Sequence, residues 1–121
     1  MIDIRVGNDI VEVSRIQKLS DKYGKRFFNH VFTDLELSWC QKRKSPEIHL
    51  AGRFAAKEAV KKALLSSGEK TIPLNKIEIC RNKDCPPEAI IKVNLDRSYI
   101  IDISISHTEK LATAVAILIP K

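Results

Sequence analysis

Apolar and polar positions alternate from the start of the chain, where Asp3 and Arg5 separate Ile2, Ile4 and Val6. That period of two predicts a half-buried strand, ending at the turn-like Gly7, Asn8 and Asp9. Beyond it Val11, Val13, Ile16 and Leu19 recur at mixed spacing, which predicts an extended turn feeding a short helix that stops near Gly24. Thr33 and Glu36 have the spacing of a capping box, in which hydroxyl and carboxylate satisfy each other's free amides, so a helix is expected from there to about Arg43. Ser45-Pro46 reads as an N-cap followed by proline at the first helical position. The long helix it opens runs to Ser66 or Ser67, and Gly68 closes it in the left-handed conformation.

From residue 69 the pattern changes. Pro73, Pro86 and Pro87 interrupt it and β-branched residues dominate, which predicts strands at Ile77 to Arg81, Ala89 to Leu95, Tyr99 to Ser106 and Leu111 to Ile119. The last two are joined by His107-Thr108-Glu109-Lys110, short enough for an antiparallel hairpin. The expectation is one α+β domain over residues 1–121, helices first and then a largely antiparallel sheet.

Composition narrows the function classes. Hydrophobic residues at 44% and charged residues at 30% are ordinary for a chain that folds. No run of 18 apolar residues spans a bilayer, and MIDIRVGND lacks the basic region and apolar segment of a signal peptide, so a cytoplasmic protein without a membrane partner is expected. Cys40, Cys80 and Cys85 form no CxxC pair and are expected to be reduced and unliganded. The net charge of +6, from 21 basic and 15 acidic residues, predicts a negative partner: nucleic acid, a polyphosphate ligand or an acidic protein. With only four Phe, two Tyr and one Trp and no binding motif, a small nucleic-acid-binding protein is the weaker alternative.

Three places hold polar groups that a purely structural design does not ask for. Asn8-Asp9 with Glu12 follows a predicted strand, where Asp is commonly a turn-former. Glu58 projects within about 40° of Leu65, Ala51 and Phe54 on an ideal helix, although an i,i+4 pair with Lys62 would also account for it. His107 in Ser104-Ile105-Ser106-His107-Thr108 could be a solvated turn residue. In combination they have a chemical logic. Asp9 and Glu58, two carboxylates from different elements, suit Mg²⁺ when its other ligands are water and substrate phosphate. Arg53, Lys57 and Lys62 would neutralise phosphate oxygens. Neither GxxxxGK[ST] nor GxGxxG occurs, so a different phosphate site is required.

GNDIVEVSRI at 7–16, KRFFNHVFTDLEL at 25–37, AGRFAAKEAVKKAL at 51–64 and SISHT at 104–108 resemble, in order and spacing, the holo-acyl-carrier-protein synthases, the small 4'-phosphopantetheinyl transferases. The resemblance covers most of residues 1–68 and 99–118. It implies transfer of the phosphopantetheine arm of coenzyme A to a serine of apo acyl carrier protein, for fatty acid biosynthesis, with release of adenosine 3',5'-bisphosphate. It implies that Asp9 and Glu58 hold Mg²⁺ and that Lys62, Arg53, Lys57, His107 and Thr108 bind coenzyme A, with Lys62 and His107 also catalytic. Glu58, directly or through a water, is the candidate general base for the serine. Arg15 and Arg26 match the region that docks the acidic carrier protein, and the family's homotrimer, with clefts between subunits, is implied as well. A catalytically inactive relative that only binds coenzyme A or a carrier protein is the alternative of the same shape. RNKDCPPEAIIKVN at 81–94 departs from the family's Asn-Gly-Lys-Pro-like turn, which puts contacts to the adenine and 3'-phosphate in doubt.

Overall fold

Small side chains decide where the longest helix lies. The computed structural model describes residues 3–81 and 86–121. In it a three-stranded antiparallel sheet has the order β1 (Arg5–Glu12), β5 (Leu111–Pro120), β4 (Tyr99–His107). Helix α4 (Pro46–Ser66) lies across one face of this sheet. Ala51, Ala55, Ala56, Ala59 and Ala63 of α4 are sealed from solvent, as are Ala112 and Ala116 of β5. At Gly7 on β1 the approach is closest: a Cβ there would overlap the Ala59 carbonyl oxygen and stand 2.8 Å from the Ala63 nitrogen. Only glycine permits that crossing.

Three shorter helices wrap the other side of α4: α1 (Val13–Tyr23), α2 (Lys25–Val31) and α3 (Asp34–Gln41). Helix α2 has no counterpart among the predicted elements. Gly24, at φ 54°, turns the chain straight from α1 into α2, so one segment carries two helices where periodicity suggested one. The new helix buries Phe27 and Val31, and Phe27 meets Phe32 edge-on with ring centroids 5.9 Å apart. The capping box forms as expected, with Thr33 N donating to Glu36 Oε1 at 2.8 Å and Glu36 N to Thr33 Oγ1 at 3.3 Å. Pro46 opens α4, but Ser45 sits at φ 144° and its side chain makes no cap bond. Gly68, at φ 93°, follows the helix as predicted, and Glu69 N donates to Leu64 O at 3.1 Å.

The first strand needs the larger correction. It runs through Gly7-Asn8-Asp9 to Glu12, because β5 pairs with it without a break from Arg5↔Leu118 to Glu12↔Leu111. Ladder hydrogen bonds override the local turn preference of those three residues. Gly7, Asp9 and Val11 face α4, while the apolar alternation points away from it: Val6 is 58% exposed and Ile10 62%. The C-terminal strands are β2 (Ile77–Cys80), β3 (Glu88–Ile91), β4 and β5. β2 and β3 form a separate two-stranded antiparallel sheet, so there are two sheets rather than one. Expectations for Cys85 and the turn at 82–85 fall outside the described residues; Cys40 and Cys80 are free thiols.

Candidate active site

Asp9 is a mid-strand residue facing α4, not a turn-former, and Glu12 lies on the opposite face of β1. Lys62 reaches down from α4 to this strand, donating to Asp9 Oδ1 at 3.1 Å and to the Asn8 carbonyl at 3.0 Å. The ion pair with Glu58 that spacing allowed does not form; among the described residues Glu58 has no salt bridge. Glu58 is half-buried, one turn before Lys62 on the same side of α4. One carboxylate, Asp9, therefore meets the ammonium, and a second, Glu58, stands one helical turn from it on α4. No group of three or more His, Cys, Asp or Glu forms a complete metal cage among the described residues. A carboxylate pair of this kind fits a hard cation that keeps water and phosphate as its remaining ligands.

Lys57 belongs to a different neighbourhood, and its expected role on the ligand side does not fit the structure. Its side chain is sealed from solvent, ion-paired with Glu36, and donates to Val31 O at 2.7 Å and Leu74 O at 2.9 Å. Its donors are occupied inside the core. Burial lowers its pKa, opposed by Glu36. Glu36 closes the network by accepting Ile79 N at 2.8 Å, so one acid caps α3, neutralises Lys57 and anchors β2.

Arg53 points to the same side of α4 as Lys57 and is 3% exposed. Its guanidinium lies 3.9 Å from the Trp39 ring centroid, Arg43 lies 3.5 Å from it, and Nε and Nη2 of Arg53 are buried without a hydrogen-bond partner among the described residues. His49 meets Trp39 at 5.3 Å between ring centroids, and His107, at the end of β4, meets His49 at 5.9 Å. Burial, then Arg53, His107, Arg43 and Arg81, hold His49 below its usual pKa. Cys40, beside this group, has its thiol pushed up to about 11 by burial. Thr108 has its hydroxyl oxygen committed to the hairpin turn, accepting Lys110 N and Leu111 N at 3.1 Å each. Trp39, Arg43 and His49 were not singled out from sequence. Trp39 and His49 lie on separate helices with no shared spacing, and Arg43 follows the first of them.

The expected site residues thus form two groups on opposite sides of α4. Arg53 and Glu58 are about 140° apart around the helix axis, so the Arg53–His107 group and the Asp9–Glu58–Lys62 group do not share one concavity within a chain. Arg15 on α1 lies on the carboxylate side, its guanidinium 5.9 Å from the Phe54 ring centroid, one turn before Glu58. Arg26 is exposed on α2.

The fold is thus an α+β one, an antiparallel sheet crossed by an alanine-lined helix with a carboxylate pair on one side and an arginine-histidine group on the other. The model of the 4'-phosphopantetheinyl transferase superfamily matches residues 5–116, and the chain belongs to that superfamily. Within it, the chain is 45% identical to the holo-[acyl-carrier-protein] synthase of Protochlamydia amoebophila over 115 residues, covering 93% of this chain and 94% of the relative. The holo-[acyl-carrier-protein] synthase of Chlorobaculum parvum is 39% identical, covering 97% and 99%. Among solved structures, a Bacillus anthracis holo-(acyl-carrier-protein) synthase in complex with CoA (3',5'-ADP) superposes with a TM-score of 0.82 at 28% identity, over 100% of both chains.

Proposed function

We infer that this chain transfers the 4'-phosphopantetheine arm of coenzyme A to a serine of apo acyl carrier protein, with adenosine 3',5'-bisphosphate as the other product. The observation that carries the reading is the meeting of β1 and α4 at Gly7, which brings the Asp9 carboxylate under Lys62 with Glu58 one turn away. The serine oxygen forms a bond to the pantetheine-side phosphorus of the pyrophosphate, and the bond from that phosphorus to the bridging oxygen breaks. The oxygen leaves with the adenosine bisphosphate and the serine proton passes to Glu58, directly or through a water. Lys62 already bridges strand and helix, and its half-exposed ammonium would offset charge on the phosphates as it shifts to the leaving group. Asp9 and Glu58 would hold Mg²⁺, which supplies further neutralisation of the pyrophosphate oxygens.

The separation of the two residue groups supports an active site made between copies of the chain. Coenzyme A that reaches Asp9, Glu58 and Lys62 of one copy would meet Arg53, His107 and Thr108 of the next, in a homotrimer. The outer face of the three-stranded sheet supports such an assembly. Val6 pairs with Ile117, and Ile10, Val115, Leu111 and Ile100 extend the same exposed apolar face. Surfaces of that kind mark association sites. Arg15 beside Phe54, one turn from Glu58, and the exposed Arg26 on α2 would offer positive charge to an acidic carrier protein. The same reading makes the chain a cytoplasmic enzyme of lipid synthesis; among the described residues no helix is long and apolar enough to cross a membrane.

The test is a mass measurement on apo acyl carrier protein incubated with this protein, coenzyme A and Mg²⁺. A phosphopantetheine adduct on the carrier serine is expected. No adduct, with a salt-sensitive complex on DNA or RNA instead, would overturn the reading. Asp9→Ala and Glu58→Ala should each remove most transfer, on the order of 100-fold or more, with unfolding curves unchanged.

A further inference from the structure

Positive and potentially positive side chains converge on one indole. Arg43 and Arg53 lie 3.5 and 3.9 Å from the Trp39 ring centroid, and His49 meets that ring nearly edge-on at an interplanar angle of 79°. His107 packs on the other side of His49 at 76°. The groups felt by His49 are Arg53 on α4, Arg43 after α3, Arg81 after β2 and His107 on β4, and all of them are basic. The carboxylate near Arg53, Glu36, is already engaged by Lys57, Thr33 N and Ile79 N. Arg53 nevertheless keeps Nε and Nη2 buried and without an acceptor among the described residues. Buried guanidinium N–H groups without an acceptor are disfavoured, and an anion in this corner would supply the acceptor that the described residues do not.

His49 differs from the arginines because its charge is optional. Burial and the surrounding cations hold the imidazole neutral near pH 7 when no anion is present. A phosphate group against Arg53 reverses the sign of the local field and favours the imidazolium. We propose that His49 takes up a proton when a phosphate group enters the corner formed by Arg53, Arg43 and Trp39, so that the corner gains a positive charge only when it is filled. This rests on the coenzyme A reading, in which that corner receives one of the substrate's phosphates. By linkage the affinity for the nucleotide falls as pH rises, by at most about tenfold per pH unit for one proton.

Trp39 is the one tryptophan of the chain, so its fluorescence reports occupancy of the corner. The experiment is calorimetric titration of the full chain with adenosine 3',5'-bisphosphate in two buffers of different ionisation enthalpy. Wild type, His49→Phe and His107→Asn are compared, with Trp39 emission followed in parallel. Phenylalanine keeps a ring between Trp39 and His107 but cannot take a proton. Wild type should take up protons on binding, and His49→Phe should lose up to about one of them per site, with a correspondingly flatter affinity profile between about pH 6 and 8. His107→Asn should bind more weakly yet retain the share due to His49. In wild type the His49 ring Cε1–H resonance should move toward the imidazolium position as ligand is added, a readout that does not depend on any variant folding. Unchanged proton uptake in His49→Phe, or an unmoved His49 resonance, overturns the proposal while the coenzyme A reading stands. Absence of both binding heat and Trp39 response removes both.

Discussion

On α4, Lys57 meets Glu36 with both side chains sealed from solvent, whereas Lys62 meets Asp9 with 51% of the lysine side chain and 17% of the aspartate exposed. The chemistry of the two pairs is the same and the consequences differ. Lys57 spends its remaining donors on two backbone carbonyls, and Glu36 its remaining acceptors on two backbone amides. Such a pair has no free valence for a ligand. Lys62 and Asp9 keep a wet side, and Glu58, an acid with no ion pair among the described residues, stands one turn away. Burial has made the first pair a joint between α3, α4 and β2, and exposure leaves the second able to exchange partners.

The largest effect is expected from breaking the buried pair. Lys57→Met leaves Glu36 charged and uncompensated, and should cost about 3–5 kcal/mol in urea unfolding. Changing both, Glu36→Gln with Lys57→Met, should recover part of that loss; a single substitution no worse than one at a surface lysine would show that the pair is not a structural joint. Next comes Gly7→Ala, at about 1–3 kcal/mol or more, because the added Cβ overlaps the Ala59 carbonyl and pushes α4 off the sheet. Thermal unfolding measures it, and transfer should fall further than stability explains, since Asp9 and Glu58 are then forced apart. Lys62→Ala should change stability by no more than about 1 kcal/mol, salt-dependently, while transfer falls on the order of 100-fold. Equal losses of stability in Lys57→Met and Lys62→Ala would erase the distinction between the pairs.

A smaller effect concerns a carboxylate held by neutral donors. Asp96 N, then Tyr99 Oη and Arg97 N, hold Glu69 below its usual pKa of 4.5. A folded-state value below the unfolded one means that this stabilisation is fully present above about pH 4.5 and is lost as pH falls through the folded value. Glu69→Gln should therefore flatten the acid limb of the stability profile; an unchanged limb would assign it to other carboxylates.

Much of the fold was legible because it is encoded locally. The capping box at Thr33 and Glu36, Pro46 at the start of α4, Gly68 at its end and the β4–β5 hairpin all rest on interactions within a few residues. Helix α2 was missed because a single glycine at φ 54° ends one helix and starts another without a polar linker to mark the break. Strand β1 was cut short because its continuation depends on β5, roughly a hundred residues later, supplying the ladder.

Of the candidate site, the sequence alone determined which residue types were available: an acid at 9, an acid and a lysine at 58 and 62, arginines at 15 and 53, and a histidine at 107. It also determined that Glu58 and Lys62 share a side of α4 and that Arg53 and Lys57 share another, because helical spacing sets angle. Only the tertiary structure decided that Lys62 pairs with Asp9 rather than Glu58, that Lys57 is a core residue, and that Trp39 and His49 join Arg53 and His107. Partner choice and burial depend on which elements approach across the sheet. Residues far apart in the chain set that approach, Gly7 against Ala59 foremost among them, and no pattern confined to one helix or strand contains it.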